Sequence, residues 1–414
     1  MLVLSACASQ ALLDEERKID ALAAVIEATP APAPDGPMTW TRLREAAEVG
    51  GPAFLQSKIS ETQARLDLDA RRAGRRPKVS ALLTARINGN ASGASDLVAG
   101  GVRLGLDYDV AAALVGLGRE DLALGEELVT LRRSLSDRSA TLGLLGAYAD
   151  YGQARFTTEE AELDLRALEC DRESQAVDVA LGTAPATVLS QTDRRRASAR
   201  SAIGLLQDDE DAARSRLLSE AGISRPAVVP LVPLSVAALP DAATRPAACY
   251  RTSGAEARDL VLSRIAELAL ERAEVSRFTQ FSAIIPTQLD PRSGLDLDVL
   301  VNWIVPLLDQ GGVKRSVQQA RAELLALALS ARRDRITFDQ TLSEARRDLA
   351  QARLAVATAQ AILPELDLSS ADALTDAGQC RQDLARDRRQ LEERRAAFAR
   401  SLAEARISTL CAPG

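Results

Sequence analysis

Residues 295–321 read LDLDVLVNWIVPLLDQGGVKRSVQQAR, and two periodicities meet inside them. From Leu295 to Val305 the apolar residues alternate: Leu295, Leu297, Val299, Val301, Trp303 and Val305 fall on one side, with Asp296, Asp298 and Asn302 on the other. A period of two predicts a strand with one apolar and one largely polar face. Pro306 and the Gly311-Gly312 pair stop that strand, and a helical pattern takes over for about fifty residues. Upstream, Gly101–Val110 repeats the plan, with Val102, Leu104, Leu106, Tyr108 and Val110 alternating with Arg103, Gly105, Asp107 and Asp109. A very long helix follows there as well. A strand feeding a helix far longer than a globular domain needs, twice in one chain, points to a tube.

Outward from these two stretches, the chain reads as a twofold repeat, and long-period self-similarity is the mark of repeat architecture. In the first unit, 40–222, a helix at about 52–73 breaks at Gly74 and Pro77 and leads to a strand at 78–88. A Gly/Ala/Ser loop at 89–100 precedes the Gly101–Val110 strand, and a helix then runs from about Leu117 to Leu181. Gly182 stops it, and a return helix covers about 187–220 before Gly222. The second unit, 251–414, repeats the order: a helix at about 256–275, a strand at 277–287, a turn at 290–294 and the strand from Leu295. A helix from Val313 to about Ala377 comes next, with Pro364 as a candidate interruption, then a return helix to about Ser408. Between the units, 223–250 is proline-rich and reads as an irregular linker.

Composition bounds the function. The 414 residues are 46% apolar but only 3% aromatic, which suits long helices packed through Ala and Leu. Leu324, Leu327, Ala328 and Ala331 show the three- and four-residue steps of a coiled-coil seam. Sixty-five helical residues span roughly 100 Å, too long for a compact domain. A net charge of −7 argues against nucleic acid as a partner. The absence of histidine removes the commonest general base and metal ligand. There is no phosphate-binding glycine loop after a strand, no GxSxG elbow and no CxxC, so no catalytic residue, cofactor or metal site is expected. No stretch is long and apolar enough for a membrane helix, so any crossing must use strands in a closed barrel. Four strands of about ten residues can each cross a tilted bilayer but cannot close a conducting barrel. Three copies would supply twelve.

These features together resemble the TolC-like outer membrane efflux proteins, also called outer membrane factors. Val305-Pro306-Leu307-Leu308-Asp309-Gln310-Gly311-Gly312 with 317–322 is similar to that family's strand end, double glycine and helix start. Arg72–Val79, Leu181-Gly182 with Val188-Leu189, and Gly378-Gln379 with Asp383-Leu384 and 387–391 are similar too, so the resemblance covers about 40–408. Ala111, Leu117 and the Pro364–Ala371 stretch depart from the pattern. The opening MLVLSACASQ carries Leu4-Ser5-Ala6-Cys7, which resembles a bacterial lipobox with Cys7 as the lipidated residue. Too few residues precede it for a signal peptide, which implies a start upstream of Met1. Residues 1–39 are then a lipobox and N-terminal periplasmic linker, and 223–250 an equatorial linker.

The resemblance implies a mainly α fold with a small membrane β-barrel, a homotrimeric channel-tunnel with four strands per protomer and one 12-stranded barrel in outer membrane lipid. Its partners would be a periplasmic membrane-fusion adaptor and an inner-membrane ABC or proton-driven exporter, serving type I protein secretion or multidrug efflux. Pro306, Gly311 and Gly312 would form the barrel-to-tunnel hinge. Gly182 and Leu189 on one hairpin, with Gly378 and Leu384 on the other, would mark the tips that dock the adaptor. Asp383 and Asp387, four apart on one helix face, would form periplasmic carboxylate rings. The plainer alternative is a solvated face among Arg381, Arg386 and Arg388. Likewise, Arg194-Arg195-Arg196 and Arg388-Arg389 are either solvated surface or adaptor contacts. Asp107, Asp109, Asp296 and Asp298 would face the barrel lumen. A Cys249–Cys411 disulfide is implied near the tunnel equator. Cys170 lies about 12 residues, roughly 18 Å of helix, from its tip, whereas Cys380 sits at the other, so that pair is expected beyond bonding distance. A non-conducting periplasmic coiled-coil scaffold lipoprotein is the alternative of a different class.

Overall fold

The computed structural model describes residues 17–24, 36–74, 78–86, 99–107, 117–224, 227–235, 239, 243, 245–275, 280–290, 294–297, 300–304, 312–361 and 376–413. In chain order the elements are α1 (Trp40–Gly50), α2 (Pro52–Gly74), β1 (Lys78–Arg86), β2 (Ala99–Asp107), α3 (Leu117–Ala180) and α4 (Thr187–Glu220). They continue with α5 (Pro246–Thr252), α6 (Ala255–Val275), β3 (Gln280–Asp290), β4 (Gly294–Leu297), β5 (Leu300–Ile304), α7 (Gly312–Ala361) and α8 (Asp376–Leu410). The chain is mainly helical, and helix plus two strands plus long helix occurs twice.

The contacts divide the chain into two units, and each draws on both repeats. Unit 1 holds the described residues of Ser60–Arg133 and Ala255–Arg335. Unit 2 holds Asp20–Ile59, Ser134–Gly254 and Ile336–Gly414.

Unit 1 carries the sheet, an antiparallel meander in the order β1-β2-β3-β4, with β5 also on β3. The register sets Lys78 opposite Asp107, and Asp107 in turn opposite Ser282. Of the stretch that alternates from Leu295 to Val305 the structure describes two segments, β4 and β5, with 298, 299 and 305 outside the described residues. β4 places Asp296 opposite Gln288, and β5 places Ile304 opposite Gln280, both along β3. Both segments lie on one partner strand in one register, with Leu297 opposite Thr287 and Leu300 opposite Ile284, as a single alternating face requires. The helices beside the sheet are joined by polar contacts: Arg264 reaches Glu120 at 2.7 Å, Arg272 reaches the buried Asp121 at 2.9 Å, and Arg133 reaches Glu61 at 2.8 Å. At Gly125 the missing side chain matters, because a Cβ there would fall 2.4 Å from Leu68 Cδ2.

Unit 2 has the larger core. Leu43, Leu144, Leu145, Tyr148, Leu217 and Phe398 are at most 5% exposed and lie in one cluster built from α1, α3, α4 and α8. The 227–235 segment has neither helix nor strand, as expected of a proline-rich linker, but it is tightly fastened. Tyr151 donates its hydroxyl to Val229 O at 3.0 Å, the Tyr148 hydroxyl lies 3.3 Å from Pro230 O, and Leu234 N–H donates to Ser401 Oγ at 2.9 Å. Met38 N–H donates to Val228 O at 2.9 Å from the other side. Where α4 ends, Gly222 takes φ +73°, and a Cβ there would sit 2.4 Å from Gly50 O. A left-handed glycine both ends the helix and lets the two backbones approach.

Candidate functional site

The residues singled out from the sequence gather mostly along α3, α4 and α8 of unit 2. The α3–α4 hairpin is built as expected. α3 ends at Ala180, Leu181 N–H still reaches Val177 O at 2.9 Å, and Gly182 turns the chain with φ +73°. Nothing lies within 4 Å of where a Gly182 Cβ would point, so the backbone conformation alone calls for glycine. Thr183 then donates both its N–H and its hydroxyl to Asp178 O, at 2.9 and 2.8 Å. α4 starts at Thr187, leaving Leu189 half-buried in its first turn and Val177 and Leu181 exposed beside the turn.

The other tip needs correcting. α8 already runs from Asp376, so Gly378 lies in its first turn and Leu384 farther along the helix. The described part of α7 ends at Ala361, and the link at 362–375, with Pro364–Ala371, lies outside the described residues. A glycine inside a helix costs only about 1 kcal/mol, which neighbouring packing readily offsets. Leu384 is partly buried against the core cluster.

Consequently α8 runs antiparallel to α3, and a ladder of ion pairs joins them. Asp171 meets Arg381 at 3.4 Å, Arg166 meets Asp387 at 2.9 Å and Asp164 meets Arg388 at 2.5 Å. Further along, Glu160 meets Arg395 at 3.2 Å and Glu159 meets Arg394 at 2.7 Å. A second ladder joins α3 to α4: Arg172 with Asp193 at 2.7 Å, Glu169 with Arg196 and Arg200 at 3.1 and 3.0 Å, and Arg155 with the buried Glu210 at 3.1 Å. Hydrogen bonds from Arg196 and Arg200 hold the Glu169 carboxyl below the usual carboxylate range. The arginine runs are therefore divided between roles. Arg196 and Arg388 serve these ladders, while Arg194 and Arg195 face solvent.

Of the two candidate constriction residues, Asp387 is held by Arg166. Asp383 is different: its side chain is 74% exposed and its nearest cation, the equally exposed Arg386, is 3.8 Å away. One carboxylate is tied within the protomer and the other is solvated.

The structure joins Cys249 to Cys411, with Cα atoms 4.7 Å apart. It also joins Cys170 to Cys380 across the α3–α8 seam, with Cα atoms 6.0 Å apart. The expected separation of that second pair fails because Cys380 is on the helix shaft level with Cys170, not at a distant tip. A signal was present: acids at 159, 160, 164 and 171 of α3 meet arginines of α8 in reversed order, which sets residue 380 opposite residue 170.

The remaining residues are quickly placed. Gly312 opens α7, whereas Pro306 and Gly311 of the expected hinge lie outside the described residues, as do Cys7, Asp109 and Asp298. Asp107 ends β2 and Asp296 lies within β4. Among the described residues no three metal-ligating side chains come together, and no helix is long and apolar enough to cross a membrane.

No family model matches the chain, and no curated protein matches it by sequence. Solved structures do. The chain is similar to CusC, described in connection with folding and transmembrane channel formation, at 16% identity and a TM-score of 0.61 over 90% of this chain and 92% of that one. It is similar to the CmeC outer membrane channel of Campylobacter jejuni at 12% identity and TM-score 0.62, over 90% and 86%. Similarity to the outer membrane protein VceC of Vibrio cholerae is 15% with TM-score 0.60, over 89% and 95%. At such identities the likeness shows the fold. Over most of its length this chain has the fold of the TolC-like outer membrane channels.

Proposed function

We propose that the chain is one protomer of a passive, homotrimeric exit duct in the outer membrane, extending into the periplasm. It would work with a membrane-fusion adaptor and an ABC or proton-driven exporter of the inner membrane. The observation that carries this reading is the fold shared with solved outer membrane channels over about nine-tenths of the chain. The sheet supports it. Each chain offers four antiparallel passes, β1, β2, β3 and β4 with β5, and among the described residues β1 and the β4–β5 side have one partner strand each. Such edges call for pairing with further copies, and three copies would close twelve passes into one barrel. The duct itself needs no catalytic residue, and the driving free energy would come from the exporter. Type I secretion and small-molecule efflux both fit this geometry.

Within this reading the α3–α4 turn around Gly182 and Leu189 is the adaptor contact. Asp383 supplies the solvated carboxylate of a periplasmic ring, with Asp387 held back by Arg166. Purified protein from the outer membrane fraction is expected to run as a heat-modifiable trimer with steady single-channel conductance in planar bilayers. A monomer without conductance would instead support a periplasmic scaffold. Asp383→Ala is expected to weaken divalent block more than Asp387→Ala, because Asp383 is the more exposed of the two and its arginine lies farther away. Equal block in both variants and the unaltered protein would remove the ring.

A further inference from the structure

Unit 2 is cross-linked twice, and the two disulfides differ in access and in what surrounds them. Cys249 and Cys411 are 0% and 2% exposed, inside a cluster with Leu342, Leu349, Ile407 and Leu410. Other bonds hold the same place. Arg138 donates to Ser253 O at 2.6 Å and to Ala412 O at 3.0 Å, the Thr252 hydroxyl lies 3.3 Å from Cys411 O, and the Tyr250 and Phe338 rings meet at 5.1 Å.

The other disulfide is asymmetric. Cys170 is 2% exposed, but Cys380 is only half-buried in the second turn of α8. Its neighbours along the seam are the exposed pairs Asp171–Arg381, Arg166–Asp387 and Asp164–Arg388, with Leu384 partly buried among them. Exposed pairs of this kind are individually weak and screened by salt.

We propose that Cys170–Cys380 is a reducible tie that decides whether the first turns of α8 stay on α3, whereas Cys249–Cys411 is permanent. The co-reactant is a dithiol. Its thiolate attacks Sγ of Cys380, the less buried of the two cysteines, and forms a mixed disulfide there. The Cys170–Cys380 bond breaks, and Cys170 leaves as a thiolate that takes up a proton. The second thiol of the reductant then attacks its own sulfur in the mixed disulfide and releases Cys380 as a thiol. Two electrons and two protons pass to the chain, and the reductant departs as a disulfide. With the tie open, the seam from 376 to 390 rests on ion pairs, so it loosens further as salt rises. The seam from Leu391 to Leu410 keeps its buried contacts and the second disulfide.

The test uses the full chain, graded dithiothreitol, alkylation with iodoacetamide and peptide mass mapping. Cys170 and Cys380 are expected to label at least about tenfold faster than Cys249 and Cys411, since exchange rate follows access to the attacked sulfur. Hydrogen exchange is expected to speed up across 376–390 after mild reduction and to stay unchanged across 398–410. A Cys170→Ser/Cys380→Ser double variant should show the same fast exchange without reductant and no further change with it. Equal labelling rates, earlier labelling of Cys249 or Cys411, or unchanged exchange at 376–390 in both reduced protein and double variant would overturn the proposal. Neither readout requires a pore, so failure to conduct would sink the exit-duct reading and leave this one standing.

Discussion

Tyr148 meets Phe398 at one end of the α3–α8 contact and Asp164 meets Arg388 at the other, and the two ends are held by different forces. At the first, the Trp40, Tyr148, Phe398 and Phe156 rings form a chain with centroids 5.5, 5.3 and 5.6 Å apart. Gly152 makes room for it, since a Cβ there would lie 2.5 Å from Phe398 Cε1. Burial of large rings, with about 0.5–1.5 kcal/mol more per aromatic pair, sets the stability there. At the second, both charges keep about half of their side chains in water. The same pair of helices is thus joined by packing in one stretch and by solvated ion pairs in another, which the Cys170–Cys380 disulfide backs up.

Substitution can break this contrast, beginning where the effect is greatest. Phe398→Ala is expected to cost about 3–5 kcal/mol, because it empties the centre of the aromatic chain. Denaturant unfolding would measure it, and a cost below about 1 kcal/mol would mean the packed end is no stronger than the polar one. A smaller effect comes from pH. Burial pushes the Tyr148 and Tyr151 hydroxyls above the ordinary tyrosine value of 10.0, with Glu210 adding to the rise at Tyr151. The neutral form is therefore favoured in the folded state. This contribution is fully present below the unfolded value and is lost as pH rises through the folded one. Thermal unfolding should show stability falling above pH 10, and a Tyr148→Phe/Tyr151→Phe variant should flatten that fall; an unaltered slope would contradict the assignment. The smallest effect is at the polar end. Arg388→Ala is expected to cost at most about 1 kcal/mol, with the difference vanishing in high salt. A larger, salt-independent cost would show that this pair is not solvated in the way its exposure implies.

Local pattern made several elements legible in the sequence. Alternation located the strand segments among the described residues to within a few positions, because side chains in a strand take opposite faces in turn. Gly182 and Gly222 marked helix ends, since each position takes the left-handed backbone that glycine adopts without cost.

The candidate site was less legible than the fold. Asp387 and Asp383 look alike in sequence, four residues apart on one helix, yet Arg166 from α3 neutralises one and leaves the other in water. The proline-rich stretch at 227–235 reads as loose, yet two tyrosine hydroxyls some eighty residues upstream pin its carbonyls.

By itself, then, the sequence determined the repeated order of helix, strands and long helix, the absence of histidine chemistry and the α3–α4 turn. These depend on composition and on periods of 2 and 3.6 residues, which are properties of a segment alone. Only the tertiary structure decided the level at which α8 lies against α3. With that level came the pairing of Cys170 with Cys380 and the fate of each carboxylate, because register between helices is set by contacts between residues more than two hundred positions apart in the chain.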